Sequence, residues 1–270
     1  MADDKPTDAQ EQREAEQRSA PSPRVVHAAV SAQGRDELAR PLGSLFWSGV
    51  AAGIAMVASV TASGAIHRYA PDMPWREALT AIGYPLGFLI VILGRLQLFT
   101  EQTVVAVLPF ARQPSAAKLA AVARLWATVF AGNVIGTAAA AALAVFGHVQ
   151  AAPVLHGMVA VSRHLLERGA GETLLQAIPA GFLIASVAWI RSATEGSGFA
   201  VVFAITYAIA LGGFAHVVAG AAEAFVLVWH GDAGIGWAVG AFLLPALVGN
   251  VIGGTGLFAL LVHAQVKDEI

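Results

Sequence analysis

Leu93-Gly-Arg-Leu-Gln-Leu-Phe-Thr-Glu-Gln-Thr103 interrupts, with two charges and a glycine, an apolar segment that runs from about Ala78 to Phe110. A hydrocarbon core of about 30 Å is crossed by roughly 20 helical residues, so the segment is long enough to span and its interruption falls at depth. Charge and non-helical backbone at that depth are tolerated only where they are buried in protein or line a water-filled cavity. Outward along the chain, a second segment from Phe199 to Trp229 is broken in its middle by Leu211-Gly-Gly-Phe-Ala-His216. Two broken helices, one in each half of the chain, point to a transport pathway.

The surrounding composition agrees with a membrane setting. Of 270 residues, 57% are hydrophobic and 13% charged, against about 25% charged in a soluble domain. A net charge of -2 with no basic patch gives no reason to expect nucleic acid, and the lack of cysteine excludes disulfides, thiolate metal sites and thiol nucleophiles. Residues 1–40 mix charges, Pro, Ser and Gln with little to bury, which predicts a disordered tail, with 8–18 a candidate short surface helix. That tail lacks the apolar run of a cleaved signal peptide.

Apolar runs fall at about 43–66, 78–111, 118–147, 171–191, 198–229 and 235–264, each long enough to cross a bilayer. The expected architecture is an all-α membrane domain over 41–265 with six transmembrane helices, the second and fifth broken, and a short C-terminal tail at 266–270. Gly132-Asn-Val-Ile-Gly136 in the third span recurs as Gly249-Asn-Val-Ile-Gly253 in the sixth. This identity suggests two three-helix repeats, and three spans per repeat place the copies upside down relative to each other. The excess of Lys and Arg, with Arg24, Arg35, Arg40, Arg112, Lys118, Arg191 and Lys267 on one side, favours both termini in the cytoplasm.

His216 sits at the mid-span break, where an ionisable group is costly and marks a functional candidate, although a lone histidine on an apolar face is otherwise a core residue. An unperturbed pKa near 6.5 lets imidazole exchange a proton near neutrality. The other seven histidines fall in the tail, loops or helix ends and receive no role. Thr100 lies in the first break, where its hydroxyl can donate or accept a hydrogen bond. Asn133 and Asn250, the only asparagines, need partners in apolar helices. Backbone groups freed by the two breaks are the expected ones, with direct substrate contact the alternative. Arg95 and Glu101 flank Thr100 and are expected to pair, to reach solvent or to face a subunit interface. Arg95 either braces the loop against a carboxylate or recruits anions from a vestibule. Glu223, seven residues after His216 and so on about the same helix face, either relays protons, sits in the vestibule, or pairs with Arg124 or Arg191.

Leu98-Phe99-Thr100 in a broken second span, Phe214-Ala-His216 in a broken fifth and the paired Gly-Asn-x-Ile-Gly motifs resemble the formate/nitrite transporter family over residues 42–265. The resemblance implies an aquaporin-like fold of six spans in inverted repeats and a homopentamer with one pore per subunit. It also implies a mobile loop at Leu98, Phe99 and Thr100 beside the pore and a central pore histidine at His216. By spacing within that pattern, Phe88 and Ile209 would be two apolar constrictions. The chain departs from well-studied members at three positions around the histidine: Ala215 replaces Glu, Gly220 replaces Asn and, in the fourth span, Gly181 replaces Asn. Arg95 and Gln97 stand in the loop where small and acidic residues are usual.

The expectation is a cofactor-free pore, in a bacterial-type inner membrane, for a small monovalent anion that is the base of a weak acid, with protons as a second partner. Protonation at the constriction would let a neutral acid cross where a charge could not. A neutral-solute channel of the aquaporin type would need paired Asn-Pro-Ala loops, which are absent. An intramembrane enzyme would need a Ser/His/Asp set, a His-x-x-x-His pair or paired carboxylates in the spans, none of which occurs. A non-conducting scaffold that kept the fold remains the other alternative.

Overall fold

A computed structural model describes residues 20–194 and 196–270. Eleven helical segments follow in order: α1 Pro23–Ala39, α2 Leu42–Tyr69, α3 Arg76–Leu93 with a 3-10 turn at Ala81–Gly83, α4 Phe99–Val105, α5 Leu108–Arg112, α6 Ala116–Phe146, α7 Ala152–Ser162, extended by a 3-10 helix at Arg163–Glu167, α8 Ala170–Ala193, α9 Gly198–Leu211, α10 Val217–His230 and α11 Ile235–Glu269. Five of them (α2, α3, α6, α8 and α11) are long and apolar enough to cross a membrane. The intervals 78–111 and 198–229 are each divided into shorter helices.

The expected disordered tail needs correction over residues 23–39. Residues 23–39 form a helix started by Pro23, whose missing N–H costs nothing at the first helical position. It docks by burying Val26, His27, Val30, Ser31 and Gly34, a set too sparse and too polar to register as a core stripe. Gly34 is pressed so closely on the Val105 carbonyl and the Pro109 ring that no Cβ would fit. The expected surface helix at 8–18 lies outside the described residues. The C-terminal tail is likewise shorter than expected, because α11 continues through Val266, which is buried.

The motif Gly-Asn-Val-Ile-Gly performs the same packing twice. Gly132 and Gly136 let α6 cross α2 at backbone distance, where a Cβ would strike the carbonyls of Phe46 and Val50. Gly249 and Gly253 let α11 cross α8, where a Cβ would strike the carbonyls of Leu174 and Ile178. Lipid offers no hydrophobic drive between helices, so close contact through small residues supplies the association energy. Near the second crossing α11 widens into π turns at Ala238–Leu243 and Ile252–Ala259. Pro245, without an N–H and with a ring that clashes one turn back, explains the first of them.

Candidate functional site

The two breaks share one backbone trace. Gly94 and Gly212 end α3 and α9 with near-identical dihedrals (φ -75, ψ -1 and φ -76, ψ -5). Arg95 and Gly213 follow in the left-handed region at φ 55 and φ 62. Leu98 and His216 then open α4 and α10 in extended conformation (φ -104, ψ 122 and φ -102, ψ 123).

Each break is held by one asparagine. Asn133 Nδ2 donates to the carbonyls of Gly49 (2.9 Å) and Gln97 (2.8 Å), while Oδ1 accepts from the Phe99 N–H (2.9 Å). Asn250 Nδ2 donates to Ala177 (2.8 Å) and Ala215 (3.0 Å), while Oδ1 accepts from Val217 (2.8 Å). Leu98 and His216 are therefore the residues straddled by the clamps, and both amides use all three groups that an apolar interior would otherwise leave unpaired.

This geometry brings Thr100 and His216 together across the two breaks, with Thr100 Oγ1 2.7 Å from His216 Nε2. The N–H of Ala219 donates to His216 Nδ1 at 3.1 Å. Nδ1 must then be the unprotonated nitrogen of the neutral ring, so Nε2–H donates to Thr100. The Phe88 ring lies edge-on to the imidazole with centroids 4.9 Å apart. Leu98, Thr100, Phe88 and Ile209 are all fully buried. Phe99 is buried too, but its ring is turned towards α6, packing edge-on against Trp126 and Phe130.

A cavity of about 440 Å³ approaches His216 from the side of α7, lined by Thr80, Tyr84, His164, Arg168, Gly220, Glu223 and Phe242 among others. A second, of about 360 Å³, lies on the side of α1 and is lined by Asp36, Glu37, Arg95, Gln97, Glu101 and Arg191 among others. Phe88, Leu98, Thr100 and Ile209 border neither cavity and fill the space between them.

Several expected pairings fall differently. Arg95 is exposed at the mouth of the α1-side cavity and its guanidinium makes no hydrogen bond or ion pair among the described residues, so the bracing reading is not what the fold adopts. Its backbone turns through the left-handed region and throws the side chain outward. Glu101 pairs with Arg191 at 3.8 Å instead. Glu223 meets neither Arg124, which bonds the Leu38 carbonyl, nor Arg191, but faces His164 at 3.8 Å.

Three features escaped the linear reading. His164 lies in a short 3-10 helix, Arg163–Glu167, directly after α7 and had no motif to mark it. Glu37 of α1 accepts from Gln97 Nε2 (2.9 Å), and Gln97 accepts from Gln102 Nε2 (2.9 Å), tying α1 to the first break. Phe242 covers Gly220 so tightly that a Cβ there would meet the ring. All three join residues distant in sequence.

An all-helical membrane protein with several apolar spanning helices is the class that this fold defines. The sequence model of the Formate/nitrite transporter family matches residues 24–264, and the chain belongs to that family. It is 35% identical over 248 residues to the inner membrane protein YfdC of Escherichia coli (strain K12), covering 91% of this chain and 79% of that protein. It is 28% identical over 250 residues to the uncharacterized transporter YrhG of Bacillus subtilis (strain 168), covering 88% and 90% respectively. Among solved structures, a pentameric formate channel with formate bound superposes with a TM-score of 0.72 at 18% identity, covering 84% of this chain and 98% of that one. An FNT family ion channel superposes at 0.73 with 19% identity, covering 90% and 98%.

Proposed function

We propose that each subunit carries a small monovalent anion, the base of a weak acid such as formate or nitrite, across a bacterial-type inner membrane through its own pore. In this reading the chain makes six spans as two inverted repeats, with α3 through α5 forming the broken second span and α9 with α10 the broken fifth. Both termini lie in the cytoplasm and five copies assemble in the lipid bilayer. The pore needs no cofactor and performs no enzymatic reaction.

The observation that carries the reading is the Thr100–His216 hydrogen bond, which lies between two cavities and beside the fully buried Phe88 and Ile209. Helices α4 and α10 both begin at this point, so their positive dipole ends converge where an anion must lose water. A bare charge in the apolar segment costs several kcal/mol, and conversion to the neutral acid removes most of that cost. The paired Thr100 hydroxyl and His216 imidazole are the polar groups that aid the step at this point of the path.

Purified protein in liposomes tests this with formate and nitrite gradients. Entry of either anion that changes in rate and pH profile in His216→Ala and His216→Asn is the expected result. An unchanged rate and profile in both variants removes the histidine from the pathway. The fully closed segment also fits a non-conducting scaffold, for which wild-type liposomes would admit neither anion. A neutral-solute channel would admit a small uncharged solute faster than either anion.

A further inference from the structure

Two of the three histidines that line the α7-side cavity, His216 and His164, are held in opposite tautomers by backbone groups. His216 accepts at Nδ1 from Ala219 and donates at Nε2 to Thr100, so neither nitrogen has a free lone pair. His164 Nδ1 lies 2.6 Å from the Val161 carbonyl, which can only accept, so the neutral ring keeps its lone pair on Nε2. That nitrogen faces Glu223 Oε2 at 3.8 Å. The His164 side chain is 42% exposed and exchanges with water, whereas that of Glu223 is 11% exposed and lines the cavity.

Resting on the proposed anion pathway, we propose that Glu223 is the proton donor of this pore and His164 its reloading group, with His216 a positioning residue. Glu223 and His216 lie on one face of α10, two turns or about 10 Å apart, and both border the same cavity. The anion enters past His164, and the Glu223 carboxyl O–H bond breaks as its proton passes to the anion. The products are a neutral acid and a Glu223 carboxylate. Imidazolium at His164 returns a proton to Glu223 and regains one from water outside, so one proton crosses with each anion and is released on the α1 side.

The neighbouring groups suit this cycle. Arg168 donates to the Gly213 carbonyl at 2.8 Å and stands near Glu223, where its charge offsets the carboxylate left behind. Tyr84 faces Glu223 from α3, and the buried Thr80 hydroxyl beside it has no partner among the described residues and is available to a bound polar solute. At the rim, Arg163 and His230 are both drawn to Asp232, at 3.3 Å and 3.2 Å, and His67 faces Glu77 at 3.7 Å. Each of these is occupied by a nearer partner than Glu223. Glu167 also lines the cavity and adds negative charge near its mouth.

Liposomes loaded with a pH-sensitive dye and given labelled formate or nitrite separate the two readings. Glu223→Gln is expected to lower anion entry and lumen acidification together by at least about tenfold. Glu223→Asp is expected to recover most of both, and His164→Gln to flatten the pH profile between about pH 5 and 8. His216→Asn is expected to slow entry while the ratio of protons to anions stays at the wild-type value. Wild-type rates in Glu223→Gln overturn the proposal and leave the anion pathway standing. Equal loss in Glu223→Gln and Glu223→Asp with an unaltered profile in His164→Gln marks a structural carboxylate and overturns it as well. Entry of neither anion through the wild type overturns the pathway itself and this proposal with it.

Discussion

At the residue scale the two asparagines do the same work, and their loss has a calculable direction. Asn250→Leu keeps the volume but leaves the Ala177 and Ala215 carbonyls and the Val217 N–H without partners in an apolar interior. Each buried orphan costs about 1–3 kcal/mol, so a fall in detergent melting temperature is expected for Asn250→Leu, and an equal one for Asn133→Leu. An unchanged melting curve for either would show that water or a rearranged break replaces the clamp. Arg95 and Glu101 should behave oppositely to each other. Arg95→Gln is expected to leave the melting temperature unchanged and weaken apparent anion affinity, because the exposed guanidinium holds nothing among the described residues. Glu101→Gln is expected to lower the melting temperature by removing the partner of Arg191, and the two effects should add as for independent sites. A shared effect in the double variant would restore the bracing contact that the fold does not show. The charges were legible as anomalies in the sequence, but their partners were not: Arg191 and Glu101 lie 90 positions apart and meet only across packed helices.

At the element scale α1 is the part that composition misjudged. Its buried face is anchored by His27, 3.2 Å from His263 on α11 and edge-on to Trp189 on α8. Burial first, then the fields of His263 and Arg112, hold the His27 pKa below its ordinary 6.5. Above pH 6.5 both the docked and undocked states are neutral and the contact keeps its full strength. Below it the undocked ring protonates first, so docking weakens progressively as the pH falls. Hydrogen exchange over residues 23–39 should therefore accelerate relative to the spans between about pH 7 and 5, and His27→Phe should abolish the difference. A pH-independent exchange ratio in the wild type would contradict this. Deletion of residues 2–19 is expected to leave stability intact, whereas deletion through Ala39 uncovers Val105 and Pro109 and lowers it. Equal melting temperatures for the two truncations would show α1 to be dispensable.

At the scale of the whole molecule, the long helices bury about half of their apolar windows or less within one chain. Large side chains such as Trp47, Ile54, Leu143 and Phe146 stay outward. Lipid covers some of this surface, and other copies of the chain are proposed to cover the rest. A homopentamer is expected by native mass spectrometry in mild detergent, and a monomeric or tetrameric mass would refute it. Small-residue stripes permit close subunit contact without specifying how many subunits share it, so the number rests on the likeness to a pentameric channel.

The sequence by itself determined the membrane class, because a bilayer imposes a length and an apolarity that one dimension displays directly. It also located both interruptions, since charge and paired glycine are conspicuous against an apolar background, and the repeated Gly-Asn-Val-Ile-Gly marked the residues that hold those breaks. Only the tertiary structure decided which groups meet: Thr100 with His216, Glu223 with His164, Glu101 with Arg191, and Glu37 with Gln97. It alone decided that α1 is docked, because a helix burying one histidine, one serine, one glycine and two valines has no periodic signature of its own. The physical reason is common to both cases. Solvent preference is a property of each residue and is written along the chain, whereas a hydrogen bond or an ion pair is a property of two residues and exists only after helix packing has set their distance.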